Sequence, residues 1–335
     1  MDSRPHRRLW FPLGLGLFLL FAWCGCENLS FHPPLVGVIL WTKEIHPFEE
    51  SLQGVVEGLR EQGYQDGLNL RLKVVNADGD RGKTAAAARN FLEQRAQLLI
   101  TVGNVPTLVA LEVTRDSRLP LVYANVAAPA ATGIYWPGEP ARARLTGTSM
   151  EVASAEQLSF LLQAKPGLKR LGILYCTATP QAIATGAAAE AVAQARGLIV
   201  IRETVTDDRS ELLEEALARL LNQNIEALFL PTDPVLTKPN NLKRICDTAR
   251  RARVPVMVPA GDSVALGALM AYHGDFVEIG RQAGRQAARL LAGAPPGDVL
   301  QEAPKVKRLT LNLKVARELD LPLSRQLLSR AYKLY

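Results

Sequence analysis

Cysteine, histidine and methionine are scarce in this sequence, with four of each among 335 residues. After residue 26 there is no CxxC, HxxxH or HExxH spacing, so neither a metal centre nor a disulfide scaffold is expected, and no cofactor is implied. Also missing are a GxSxG elbow, a GxxxxGK[ST] phosphate loop and a GxGxxG opening a helix after the first strand, which removes the usual local signatures of catalysis. No dense Lys/Arg block with interleaved aromatics exists, so a nucleic-acid partner is not indicated. Long uncharged apolar runs are lacking as well, apart from Leu9 to Trp23, which falls short of the roughly 20 residues that a spanning helix needs.

What is present is a globular composition, 48% hydrophobic and 21% charged, over a length that favours two domains. Arg4, Arg7 and Arg8 precede the apolar run, as in an export signal, and Cys24, Gly25 and Cys26 follow it. Residues 1–26 read as a lipoprotein-type signal with Cys26 as the candidate lipid-bearing residue. A plain cleaved signal and an uncleaved anchor are the alternatives, and all three place the body of the chain outside the cytoplasmic membrane. Without the first 25 residues the net charge falls from +6 to +4. Residues 27–34 read as a linker.

The body carries an internal repeat. Pro34 to Leu40 corresponds to Lys169 to Tyr175, each an apolar run suited to a strand buried on both faces, with Gly37 and Gly172 related by an offset of 135 residues. Both halves continue with a helix ending at a glycine (Gly63, Gly197) and a strand (Leu70 to Val75, Leu198 to Val205). A further helix and strand follow in each, then a Pro-led strand (Leu119 to Tyr123, Val254 to Val258). Strands alternating with helices imply an α/β fold of two Rossmann-like parallel-sheet lobes. Ligands of such sheets lie outside the carboxyl ends of the strands, so an interlobe cleft is expected. The expected boundaries are 35–148 plus about 275–305 for the first lobe and 149–272 for the second. Residues 306–335 are expected to pack on the lobes, and crossovers to lie near Thr146 to Glu151 and Met270 to Gly274.

His46-Pro47-Phe48-Glu49, Gly63-Tyr64, Gly67-Leu68-Asn69 and Asn76-Ala77-Asp78-Gly79-Asp80, followed in order by Val105-Pro106-Thr107, Thr146-Gly147, Pro231-Thr232-Asp233, Gly261-Asp262-Ser263 and Gly280-Arg281-Gln282-Ala283-Gly284, resemble the ABC-transporter substrate-binding proteins typified by tryptophan- and tyrosine-type binders. The resemblance runs from about Leu35 to Leu328. It implies a type I periplasmic-binding-protein fold, an amino-acid-like ligand and an ABC permease as partner. A monomer is the default for this class, and the membrane is expected to be met only through the N-terminal lipid anchor that the signal indicates. Ala127-Ala128-Pro129 stands where the family shows a Thr-Asp-Pro-like turn, and Trp41-Thr42-Lys43-Glu44 carries both charge signs.

An amino acid presents a carboxylate, which wants N–H and hydroxyl donors at helix starts, and an ammonium, which wants a carboxylate. Thr42, Asn104, Thr107, Thr177, Thr179, Thr232 and Ser263 lie at strand ends or helix starts and are the candidate donors, with Asn125 added to them; the plain alternative is helix capping. Asp233 and Asp262 are the candidate ammonium partners, with the same alternative. Trp41, Tyr175 and Tyr272 are the aromatic candidates, ahead of Tyr123 and Trp136, and His46 is placed on the cleft by the resemblance. Ligand bridging Thr42, Asn104 and Thr107 to Thr177, Asp233 and Asp262 would favour a closed state. Cys176 and Cys246 are expected to be unpaired thiols. Two other readings are a sensing subunit docked on a signalling receptor and the ligand domain of a repressor; the second needs a helix-turn-helix where the export signal stands.

Overall fold

The computed structural model describes residues 33–134 and 144–335. The signal, Cys26 and Trp136 lie outside the described residues.

The first lobe is built on β1 (Leu35–Leu40), β2 (Arg71–Asn76), β3 (Leu98–Val102), β4 (Leu121–Val126) and β5 (Leu145–Ser149), all parallel in the order β2-β1-β3-β4-β5. The inner strands are buried along their whole length, as expected of strands covered on both faces, whereas edge strand β2 is largely exposed. Helices α1 (His46–Glu61) and, from later in the chain, α8 (Phe276–Leu291) cover one face, and α2 (Arg81–Glu93) with α3 (Asn104–Val113) cover the other.

The second lobe carries β6 (Arg170–Cys176), β7 (Ile199–Val205), β8 (Ala227–Phe229), β9 (Val256–Val258), β10 (Met270–Gly274), β11 (Lys307–Leu311) and β12 (Ala331–Leu334), in the order β12-β11-β10-β9-β8-β6-β7. Pairing is parallel except between β10 and β11. Helices α4 (Ser154–Ala164) and α5 (Pro180–Ala195) line one face, joined near the end of the chain by α9 (Leu313–Glu318) and α10 (Arg325–Ser329); α6 (Ser210–Asn222) and α7 (Pro239–Arg251) line the other. Met270 to Gly274 is thus a strand of this sheet, with the crossing directly after it, and the closing segment supplies two more strands.

The repeated glycines have the same reason in both lobes. A Cβ on Gly37 would lie 2.6 Å from the Phe91 ring of α2, and one on Gly172 would lie 2.6 Å from Ile225, just after α6. Each first strand leaves a gap into which an apolar side chain seats.

Helix α1 buries Ser51, Gly54, Val55, Gly58 and Leu59 rather than Val56, which is exposed. Its small residues let the backbone of α8 touch it: a Cβ on Gly54 would fall 1.9 Å from the Val277 carbonyl oxygen, and one on Gly280 1.9 Å from that of Ser51. Each mid-helix glycine costs about 1 kcal/mol of helix propensity relative to alanine, offset here by the close approach. Arg281 closes the pair with ion pairs to Glu57 at 2.5 Å, Glu61 at 3.0 Å and Glu278.

Three segments pass between the lobes: Met150 to Ala153, Gly274 to Asp275, and the return near Val306. The return is fastened to the first lobe up to Lys305. Ser149 N–H donates to the Glu302 carbonyl and Glu302 N–H to that of Gly147, both at 2.9 Å. The Gln286 amide donates to the Leu300 carbonyl at 2.8 Å, and the Gln282 side-chain carbonyl accepts from Lys305 N–H at 2.9 Å.

Candidate functional site

Most of the candidate residues lie at or just beyond the carboxyl ends of β1, β3 and β4 in the first lobe and of β6, β8 and β9 in the second; Tyr272 lies within β10. Trp41 is half-buried and packs with the first-lobe core beside Gly79. Thr42 is buried, its hydroxyl accepting from Glu44 N–H at 3.1 Å in a local turn. Asn104 pairs reciprocally with Ala127, donating to its carbonyl at 2.7 Å and accepting its N–H at 2.9 Å, which locks the start of α3 to the end of β4. Thr107 is fully buried, donating to the Gly103 carbonyl at 2.7 Å and lying 2.8 Å from the Thr101 hydroxyl.

Asn125 has a φ of 56°, in the left-handed region that Asn tolerates. Its amide donates to the Pro47 carbonyl at 3.2 Å, tying β4 to the first turn of α1.

In the second lobe Tyr175 is a core residue whose ring lies against Gly186 of α5. Thr177 is exposed and held by its N–H to the Val205 carbonyl at 2.8 Å. Thr179 precedes α5 without capping it, and Thr232 is half-buried, its carbonyl 3.4 Å from the Thr185 hydroxyl. Asp233 is only 1% exposed and both its oxygens are occupied. One accepts from Cys176 N–H at 2.6 Å, the other from Val235 and Leu236 N–H at 2.8 and 3.0 Å. Burial pushes its carboxyl up, against these three donors. Asp233 therefore ties the loops after β6 and β8 together. The Tyr272 ring packs at a tilt against that of Phe160, centroids 4.3 Å apart, and Tyr123 bonds Gln301, both within the packing. Cys176 and Cys246 are buried free thiols, and burial pushes the Cys246 thiol up to about 12.

Of the candidates for the ligand site, His46 and Asp262 come together on one cavity of about 670 Å³. It lies between the first turn of α1 (His46, Pro47, Glu50) and the second lobe (Gly261, Asp262, His273, Thr310, Tyr332, Lys333), with Phe276 at the start of α8, just after the crossing between the lobes. Ser263 is buried just behind Asp262, its N–H donating to the Asp262 carboxylate at 2.8 Å. The volume is within the usual range of small-molecule sites, about 300–1,000 Å³. Burial pushes the Glu50 carboxyl up, aided by the charges of Asp262 and Asp275 and opposed by His46, which lies 3.3 Å away. His273 is buried, donating from Nδ1 to the Gly274 carbonyl at 2.8 Å while Nε2 faces the Thr310 hydroxyl at 3.2 Å; burial holds its pKa below 6.5. Asp275 caps α8 and pairs with Arg308 at 2.8 Å, and the Arg308 guanidinium lies 4.2 Å over the Tyr332 ring.

Strand-end reasoning missed Glu50, His273, Tyr332 and Lys333. Glu50 could have been found as the residue one helical turn after His46. Tyr332 and Lys333 arrive through β12, which has no counterpart in the repeat.

A tyrosine-binding protein of Clostridioides difficile (strain R20291) is 22% identical over 277 residues, covering 82% of this chain and 78% of its own. A Streptococcus pneumonia ABC domain solved in complex with L-Trp superposes with a TM-score of 0.76 at 20% identity, covering 91% of this chain and all of that one. A leucine-binding protein of Thermotoga maritima superposes at 0.60 with 12% identity, covering 86% and 87%. These structures share the two-lobed type I periplasmic-binding fold. The sequence also matches the ABC transporter substrate binding protein family over residues 42–335, and the chain belongs to that family.

Proposed function

We propose that this protein captures an amino acid, with aromatic ones favoured, in the cleft between its lobes and delivers it to the permease of an ABC importer on the outer side of the cytoplasmic membrane. The observation that carries this reading is the cavity itself, whose walls come from both lobes and from the hinge, so that a bound molecule is gripped only when the lobes approach. Ligand contacts present in the closed arrangement and absent in the open one shift the population toward closure. The relative named for tyrosine and the structure holding L-Trp support an amino acid as the solute. Among the described residues no helix is long and apolar enough to cross a membrane. Cys26, after the Arg-led apolar run, is the proposed lipid-bearing residue.

A thermal-shift screen tests the reading on the full chain in mild detergent, against the twenty amino acids, nucleosides, sugars, purines and short peptides. A ligand of the folded form stabilises it by about 2.7 kcal/mol at a hundred times its Kd. A rise with Trp, Tyr or Phe is expected. A rise confined to sugars, nucleosides or purines would overturn the amino-acid assignment, and no rise with any compound would overturn solute capture.

A further inference from the structure

The cavity between the lobes is lined by charges of both signs. Glu50 enters from α1 of the first lobe, Asp262 from the loop after β9, and Lys333 from β12. Glu50 is paired with His46 at 3.3 Å, the Asp262 carboxylate accepts from Ser263 N–H, and the Lys333 ammonium lies 4.5 Å over the Tyr335 ring. Among the described residues, Lys333 forms no ion pair with Glu50 or Asp262, although both carboxylates act on it through space. Two carboxylates thus line one cavity from opposite lobes, together with a lysine ammonium that pairs with neither of them.

That layout matches a zwitterion. As the lobes approach, Glu50 and Asp262 are pressed together in a space that is losing water, where like charges repel more strongly. An ammonium group placed between them removes the repulsion and supplies charge-assisted hydrogen bonds to both. A carboxylate on the same ligand then has Lys333 within the same walls, while Phe276 and the Tyr332 ring offer apolar surface beside it. We propose that Glu50 and Lys333 are specificity-determining residues of the cleft: Glu50, with Asp262 opposite, holds the ligand's ammonium group, and Lys333 holds its carboxylate. The assignment rests on the amino-acid reading above and adds a division of labour to it. It makes the cleft selective against molecules carrying only one of the two charges. An amine leaves Lys333 unpaired, and an acid leaves the facing carboxylates unrelieved.

The test uses calorimetric titration of the full chain with L-tyrosine and L-tryptophan, with tyramine and tryptamine, which lack the carboxylate, and with 3-(4-hydroxyphenyl)propionate and indole-3-propionate, which lack the ammonium. Lys333→Met is expected to weaken the amino acids at least tenfold and to leave the amines within twofold. Glu50→Gln is expected to weaken amino acids and amines at least tenfold and to leave the acids as tight as in wild type or tighter, since one of the two facing carboxylates is gone. Both side chains border solvent-filled space, and a urea midpoint equal to wild type confirms that each variant is folded. Amino-acid affinity within twofold of wild type in either variant overturns the assignment, as does an equal loss of amino acid and amine in Lys333→Met. A wild-type chain that binds none of the twenty amino acids instead removes the functional reading, and this assignment with it.

Discussion

Replacing Asp233 by alanine separates two roles that a carboxylate at a strand end can play. The side chain is 1% exposed and accepts three backbone N–H bonds, from Cys176, Val235 and Leu236. Hydrogen bonds to a charged group are worth about 1.5–3 kcal/mol each, and a buried donor left unpaired costs about 1–3 kcal/mol. Removing the carboxylate also lifts its own burial cost, which is what pushes its pKa up. The net loss should therefore be below the sum of three bonds, about 3 kcal/mol, a large part of the 5–15 kcal/mol that holds a typical domain. Equilibrium urea unfolding should show the midpoint of Asp233→Ala falling at unchanged slope. Asp233→Asn should lie in between, since its amide oxygen keeps Val235 and Leu236 while its NH2 meets the Cys176 N–H. An Asp233→Ala protein within about 0.5 kcal/mol of wild-type stability that has lost amino-acid affinity tenfold would refute the reasoning and make Asp233 a ligand carboxylate.

Two other outcomes follow from the packing and the titration of buried groups. Gly280→Ala places a methyl 1.9 Å from the Ser51 carbonyl oxygen; about 1 kcal/mol of improved helix propensity cannot offset the forced separation, and a Tm drop corresponding to about 2 kcal/mol or more is expected by calorimetry. His273 has a folded pKa below its ordinary 6.5 because it is buried, so the unfolded chain takes up the proton first. Its share of stability is whole above about pH 6.5 and shrinks as pH falls below that value, by at most about 1.4 kcal/mol per unit. Urea midpoints from pH 8 to 5 should decline less steeply in His273→Gln, and parallel profiles would refute this.

The sheets were legible because their inner strands are covered on both sides and so read as unbroken apolar runs, as in Val36 to Leu40 and Leu171 to Tyr175. The glycine offset was legible for a packing reason, a Phe or Ile side chain lying over each first strand. β12 was not legible: four residues, mostly exposed, on a sheet edge give no periodicity to read. The loops of the site were also found, but spacing does not set the direction of a side chain. At Thr107 and Asp233 the nearest backbone groups were better partners than a cleft, a competition that Thr and Asp commonly enter at such places. Glu50 looked like any charge on the wet face of a helix until the second lobe was set against it.

Helices α1 and α8 touch backbone to backbone. One starts in the cavity at His46 and the other at the hinge at Phe276. With no side-chain layer between them to deform, the two form a single bar that runs from Asp275 at the crossing to the His46 end of α1. On the proposed closure, a turn at the crossing would reach the mouth of the cleft undiminished. The first lobe would then have little freedom to adapt its grip to an ill-fitting molecule, and a solute that could not be held at the angle this bar dictates would leave the jaws ajar.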